Sequence, residues 1–324
     1  MSIVIGCSGS TGSSLLKTML NRHSQIFAGP EANLFAFPQV YSDWEQAKQQ
    51  LLTNLKNDAW QTRKGVNLLQ PAFGWEQRPL EKMLRQSSDF PSFVHAFFDK
   101  PLQKDRKKIW VAKSPSNAVG LAPFLRYFPD GKVVQTIRNP YDTIASLMAR
   151  GMNVYKATGY YVFNTAVATL DHPRYYHLKY ENLVRQPNET LAALFSFFEL
   201  PFEPQIVTAQ YEKRVEPTKV AGWKHEETAA IQASSIGRFQ ELSAEQRALV
   251  RLCVSRFRIS DHYLKKYQIR FATGKELCQY LGYDFLPADQ PTASLPLKFY
   301  LWLDRLGRVK HGFSWQFFEY LAEV

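Results

Sequence analysis

Apolar positions follow two rhythms along this chain. Ile3, Val4 and Ile5 form a short β-branched run between Ser2 and Gly6, and such side chains favour a pleated strand. Gly6 to Gly12 is small and polar, and from Ser13 onward Leu15, Leu16, Met19 and Leu20 recur at helical spacing. The same reading predicts strands over Lys108 to Ala112, Lys132 to Ile137 and Tyr175 to Tyr180. A helix is predicted from Asn139-Pro140 to about Arg150, because Asn at the cap and Pro at the first helical position are start signals. Another runs from about Asn188 to Glu199 and stops before Pro201. Strands alternating with helices predict an α/β fold with a parallel central sheet flanked by helices.

Residues 41 to about 105 read as a helical insertion rich in aromatics. Trp44, Trp60, Phe73, Trp75, Phe90, Phe93, Phe97 and Phe98 either build its core or line a ligand pocket. Residues 205 to 285 read as further helices and loops, and Ala288 to Pro296 as a Pro-punctuated linker. The division expected is a domain over 1–285 and a C-terminal, helical extension over 286–324. The tail carries Leu295, Phe299, Trp302, Leu303, Leu306, Trp315 and Phe318. It either packs back on the body or meets a membrane surface or a second copy of the chain.

Composition narrows the picture. The 324 residues are apolar enough, and of ordinary enough charge, to exclude disorder as the main state. Cys7, Cys253 and Cys278 are odd in number and widely spaced, which gives neither a disulfide framework nor a zinc spacing. A reducing, cytoplasmic setting is expected. No apolar stretch approaches the ~18–20 residues of a membrane span, and the first residues lack the basic start of a signal peptide. The net charge of +11 suits a polyanionic partner. Its basic residues are dispersed, and the densest cluster, Lys104 to Lys108, reads as a solvated turn rather than a nucleic-acid patch.

Two places look built for anions. The first is the loop Gly6 to Ser14, where a strand feeds a Gly- and Ser-rich turn into a helix, so that backbone N–H groups and the positive helix end face one point. It is not a Walker A loop, because Cys7 stands where the first Gly belongs and Ser13 where the Lys belongs. The second is Arg138-Asn139-Pro140-Tyr141-Asp142 with Ser146 and Arg150 beyond. Asp142, Ser146 and Arg150 follow at four-residue steps on one helical face, and with Arg138 at the strand end they read as a phosphate clamp. Asp142 is expected to cap the helix or orient an arginine.

These residues carry a resemblance. Arg-Asn-Pro-x-Asp-x-x-x-Ser-x-x-x-Arg over 138–150 resembles the 3′-phosphate motif of sulfotransferases that use 3′-phosphoadenosine 5′-phosphosulfate. Ser10-Thr11-Gly12-Ser13-Ser14-Leu15-Leu16 is similar to their 5′-phosphosulfate loop, Tyr180-Glu181-Asn182-Leu183 to a later segment, and Ser235-Ile236-Gly237-Arg238-Phe239 to the segment that closes over the nucleotide. The four occur in the family's order over residues 1 to about 245. The resemblance implies a P-loop-like α/β fold, sulfuryl transfer to an acceptor hydroxyl, release of 3′-phosphoadenosine 5′-phosphate, and no metal. It implies that Ser10, Thr11, Gly12, Ser13 and Ser14 hold the 5′-phosphosulfate. Arg138 and Ser146, with Arg150 beside them, would hold the 3′-phosphate. Tyr180 would contact the adenine, and Ser235 and Arg238 would cover the nucleotide.

Sulfuryl transfer needs a base for the acceptor proton and cations for the leaving phosphate. Glu31 lies as far past Gly12 as the base of tyrosylprotein-type sulfotransferases, and Lys113 sits at a strand exit in a similar Lys-x-Pro context. His225 is the alternative base; His23 is expected to close the first helix. One departure stands out, since the family's loop carries Arg or Lys where this chain has Ser10. Lys113, Lys17 or Arg238 are expected to compensate. Failing that, the chain is a nucleotide-binding scaffold that keeps the fold without turnover. A nucleotide-dependent kinase is disfavoured by the missing loop lysine.

Overall fold

The structure, a computed structural model, describes residues 1–31, 33–56, 73–208 and 235–288. Trp60, His225 and the tail from Leu295 onward lie outside the described residues. The chain opens with β1 (Ser2–Cys7), α1 (Ser13–Asn21) and β2 (Ile26–Ala28). Helices α2 (Trp44–Lys56), α3 (Gln77–Gln86) and α4 (Phe90–Asp105) follow, then β3 (Ile109–Lys113), α5 (Leu121–Tyr127) and β4 (Gly131–Ile137). Next come α6 (Pro140–Ala149), α7 (Val154–Ala168), β5 (Tyr175–Lys179) and α8 (Pro187–Phe198). Helices α9 (Ala244–Arg256) and α10 (Gly274–Leu281) complete the larger elements among the described residues.

The strands form one five-stranded sheet in the order β2-β3-β1-β4-β5, and every pairing is parallel. The fold is thus the expected α/β architecture. Side chains alternate across the sheet with the period of two that strands impose. Ile3, Ile5, Val111 and Val134 pack with Leu16, Met19 and Leu20 of α1 and Leu191, Leu194 and Phe195 of α8. Val4, Trp110, Ala112 and Val133 face the opposite layer, which holds the helices of the insertion together with α5 and α7.

Four predicted strands stand within a residue or so of their expected bounds. Two elements carry no readable pattern. Strand β2 has three residues at a sheet edge, too few for a period. Helix α7 has thirteen of its fifteen residues buried, and a helix buried all round has no amphipathic stripe. Two polar side chains bond its backbone: Asn164 Nδ2 donates to the Tyr160 carbonyl at 2.8 Å, and Gln135 Nε2 donates to the Thr165 carbonyl at 2.9 Å.

The insertion's aromatics belong to the core. Trp44, Phe73, Phe90, Phe93, Phe97 and Phe98 are all buried, so they do not serve as the walls of an open pocket. Phe35, fully buried, joins the insertion to the sheet. Its ring stacks on Trp110 at 5.7 Å and meets Phe90, Phe124 and Phe128 edge-on at 5.6, 5.5 and 6.0 Å. Phe98 stacks on the same Trp110 at 4.4 Å. Glycine is required at position 120, where a Cβ would lie 1.7 Å from the Phe35 carbonyl oxygen. Phe35→Ala should therefore cost about 3–5 kcal/mol of stability, read from urea unfolding of the variant beside the parent. A loss below about 1 kcal/mol would show that this junction is not what couples the insertion to the sheet.

Candidate functional site

The C-terminal ends of β3, β1 and β4 lie side by side, and their registers place the chemistry. Ile5 stands opposite Lys113, and Cys7 opposite Thr136. The chain leaves β1 toward β2 on one side, whereas it leaves β4 toward β5 on the other. Such a divergence opens a crevice at the strand ends where open α/β sheets take ligands.

The loop after β1 is tightly determined. Thr11 donates its hydroxyl to the Ser8 carbonyl at 2.8 Å and sits 2.8 Å from the Thr136 hydroxyl, which pins the loop to β4. Ser10 and Gly12 are left-handed, with φ of 64° and 86°. Gly12 is also sterically obligatory, since a Cβ there would lie 2.4 Å from the Tyr180 ring. Gly12 precedes the first turn of α1 and accepts from the Leu16 N–H at 3.0 Å.

The end of β4 presents Arg138, only 3% exposed. Its Nη1 donates to the Ser10 carbonyl at 3.0 Å and its Nη2 to the Ser235 carbonyl. The guanidinium lies over the Tyr180 ring at 5.0 Å. Burial holds its pKa below the ordinary arginine value, with Asp142, Tyr180 and Glu181 acting against that and Arg238 adding to it. Asn139 caps α6 by accepting from the N–H groups of Tyr141 and Asp142 at 3.0 and 3.2 Å. The Asp142 carboxylate accepts from the N–H groups of Gly237 and Phe239, each at 2.8 Å. It therefore ties the 235–239 segment to α6 rather than capping α6. Arg238 Nη1 donates to the Ser146 hydroxyl at 3.2 Å, and Arg150 Nη1 to the Ser10 hydroxyl at 2.9 Å.

Glu31 and Lys113, far apart in sequence, meet at the other side of the loop. The Lys113 ammonium donates to the Glu31 carboxylate and, at 3.0 Å, to the Ser14 hydroxyl. Lys113 is 1% exposed, and a lysine buried this deeply requires such partners. Asn33, two residues past Glu31, accepts through its side-chain oxygen from the hydroxyls of Ser114 and Ser116.

Apart from His225, which lies outside the described residues, the predicted residues stand around these strand ends, with their grouping changed. The face expected to act as a single clamp of Arg138, Ser146 and Arg150 divides, with Ser146 taken by Arg238 and Arg150 turned toward the loop. Arg150 and Arg138 stand at Ser10, and Lys113, one of the cations expected to compensate, reaches the same loop at the Ser14 hydroxyl. Sequence reading missed Glu181, which accepts from the Asn139 N–H and the Tyr283 hydroxyl, both at 2.8 Å. The Tyr-Glu-Asn-Leu segment contained it, but nothing in the motif reveals its partner Tyr283. His23 is structural as expected. It is fully buried, stacks on Phe195 at 4.8 Å and accepts at Nδ1 from the Gln25 N–H at 3.1 Å. Cys253 and Cys278 are buried, and burial pushes both thiols up to about 12. Among the described residues no group of three or more His, Cys, Asp or Glu side chains is placed to hold a metal, and no helix is long and apolar enough to cross a membrane.

One solved structure shares the architecture. The sulfotransferase domain of the Synechococcus PCC 7002 olefin synthase is 17% identical, with 89% of this chain and 95% of that one covered at a TM-score of 0.52. The sulfotransferase domain of the curacin biosynthetic pathway is 19% identical, with 88% and 98% covered at a TM-score of 0.49. An uncharacterized protein of Aquifex aeolicus (strain VF5) is 25% identical over 174 residues, which are 49% of this chain and 22% of that protein, so the chain spans well under half the length of this curated relative. The model of the sulfotransferase family matches residues 2–204, more than half of the sequence, and the chain belongs to that family.

Proposed function

We propose that this protein transfers a sulfuryl group from 3′-phosphoadenosine 5′-phosphosulfate to an acceptor hydroxyl. The observation that carries the reading is the Lys113 ammonium, which reaches a hydroxyl of the anion loop and the Glu31 carboxylate at once. Chemistry of this kind needs a base within hydrogen-bond reach of the acceptor's hydroxyl proton and a cation at the leaving phosphate oxygen. The residues also fit the nucleotide. Arg138 Nε is buried without a hydrogen-bond partner, and a buried guanidinium in that position suits an anionic ligand.

In this reading Ser10 to Ser14 and the start of α1 hold the 5′-phosphosulfate. Arg138, Ser146 and Arg238 hold the 3′-phosphate side. Tyr180, fixed between Gly12 and Arg138, offers its ring to the adenine, and the Ser235 to Phe239 segment covers the nucleotide. The donor supplies a sulfuryl group whose bond to the 5′-phosphate oxygen breaks, with its electron pair, as the acceptor oxygen bonds to sulfur. Glu31 takes the acceptor's hydroxyl proton. Lys113 and the loop N–H groups stabilise the charge that collects on the leaving phosphate. The acceptor is a hydroxyl on a carbohydrate, lipid, peptide or small metabolite. The scaffold alternative rested on the neutral residue at position 10, and two guanidiniums stand at that residue.

Titration calorimetry with 3′-phosphoadenosine 5′-phosphate tests the reading, with ATP–Mg²⁺ as competitor. Metal-independent binding in the micromolar range is expected, weakened about 10- to 100-fold by Arg138→Ala, as the loss of charge-assisted hydrogen bonds implies. A folded sample that binds only ATP–Mg²⁺ would overturn the proposal. Glu31→Gln should leave that binding within about twofold while lowering turnover of an accepted substrate about 10²- to 10⁴-fold. Full activity in Glu31→Gln would transfer the base role to His225. Lys113→Ala should lower kcat about 10²- to 10³-fold, the scale set by removing one transition-state donor, measured in the same sulfate-transfer assay.

A further inference from the structure

The loop Gly6 to Ser14 contains no basic residue, yet it is where the donor's 5′ anion would meet the N-terminus of α1. Countercharge reaches it from outside at two points, with Lys113 at the Ser14 hydroxyl and two guanidiniums at Ser10. Arg138 Nη1 donates to the Ser10 carbonyl at 3.0 Å, and Arg150 Nη1 donates to the Ser10 hydroxyl at 2.9 Å. Ser10 adopts φ of 64°, a left-handed conformation uncommon for a residue with a Cβ and held by its surroundings.

Arg150 is one helical turn past Ser146, which would suit a shared 3′-phosphate clamp. The contacts do not follow that spacing, because the Ser146 hydroxyl is taken by Arg238 at 3.2 Å. The electrostatic surroundings separate in the same way. Burial lowers the pKa of both arginines, but the groups that oppose it around Arg150 are Tyr160 and Glu31. Around Arg138 they are Asp142, Tyr180 and Glu181. The contacts differ likewise: Arg150 reaches the loop through the Ser10 hydroxyl, whereas Arg138 also holds the Ser235 carbonyl and lies over the Tyr180 ring.

We infer that Arg150 is a second cation of the Gly6–Ser14 loop, beside Lys113: delivered from the end of α6 and oriented by the Ser10 hydroxyl, its guanidinium binds the 5′-side anion rather than the 3′-phosphate. The inference rests on the nucleotide-donor reading above and assigns this residue within it.

Three nucleotides separate the possibilities: adenosine 5′-monophosphate, adenosine 3′-monophosphate and adenosine 3′,5′-bisphosphate, titrated into parent and Arg150→Ala protein at fixed salt. Arg150→Ala should weaken the 5′-monophosphate and the bisphosphate by a similar factor, about 10-fold or more. The 3′-monophosphate should stay within about twofold. Ser10→Ala should reproduce the selectivity with a smaller loss, about threefold, because it removes the orienting hydroxyl and keeps the charge. Arg150→Lys retains a charge in place of the fork, and it keeps the test decisive if the alanine variant does not fold. Its loss should again fall on the 5′-monophosphate. A loss confined to the 3′-monophosphate, or equal affinities for all three ligands in parent and variants, overturns the inference and leaves the functional reading standing. A folded parent that binds none of the three overturns both.

Discussion

A guanidinium buried at the end of a parallel strand is the constraint around which the site is arranged. An unpaired buried cation is costly, so the structure must answer Arg138 with groups from several elements. It does so with the Ser10 carbonyl from the β1 loop, the Ser235 carbonyl from the far segment and the Tyr180 ring from the end of β5. Each answer fixes the group that gives it. Tyr180, held over Arg138, also crowds position 12 so closely that only glycine fits. The Arg138 carbonyl in turn accepts from the Tyr161 hydroxyl of α7 at 3.2 Å. One strand end thus draws together two loops, two neighbouring strands and the buried helix behind them.

Asp142 extends this coupling across the chain. Its carboxylate receives two N–H groups from the 235–239 segment, so residues nearly a hundred positions away are held on the first turn of α6. Gly237, with φ of 83°, makes the turn that aims one of those N–H groups. On the opposite side Glu181 receives the Asn139 N–H and the Tyr283 hydroxyl, and the Tyr141 hydroxyl accepts from the Leu286 N–H at 2.7 Å. The short Arg138-Asn139-Pro140 turn is therefore held by the Glu181 carboxylate, while the Asp142 carboxylate beside it holds the 235–239 segment. Pre-positioned groups of this kind lose little freedom when a ligand arrives.

What the sequence discloses follows from the range of the forces involved. The strands at the sheet centre announce themselves by β-branched runs, because burial on both faces leaves little else that fits. The helix start at Asn139-Pro140 is legible because capping is local. Helix α7 is hidden by its uniform burial and β2 by its length. The site shows the same division. Ser10 to Ser14 and Arg138 to Arg150 can be read as anion-binding stretches, since each is contiguous. The meeting of Glu31 with Lys113 depends on β2 lying beside β3 in a particular register, which no local pattern encodes. The division of the presumed clamp, with Arg238 on Ser146 and Arg150 on Ser10, depends on where the 235–239 segment lands.

Helix electrostatics supply a reason for importing the charge rather than placing it in the loop. Ser10 lies just before the N-terminus of α1, where the macrodipole and the unsatisfied N–H groups already carry partial positive charge. A fixed cation there is repelled by the helix end as well as by Arg138, whose guanidinium is hydrogen-bonded to the same residue. Arg150 occupies the opposite kind of position, the C-cap of α6, where free carbonyl groups favour a cation by about 0.3–1 kcal/mol. The long side chain then spans from a helix end that stabilises it to a loop that needs it. A neutral residue at position 10 is, on these terms, the complement of an arginine at position 150, because its hydroxyl receives the guanidinium.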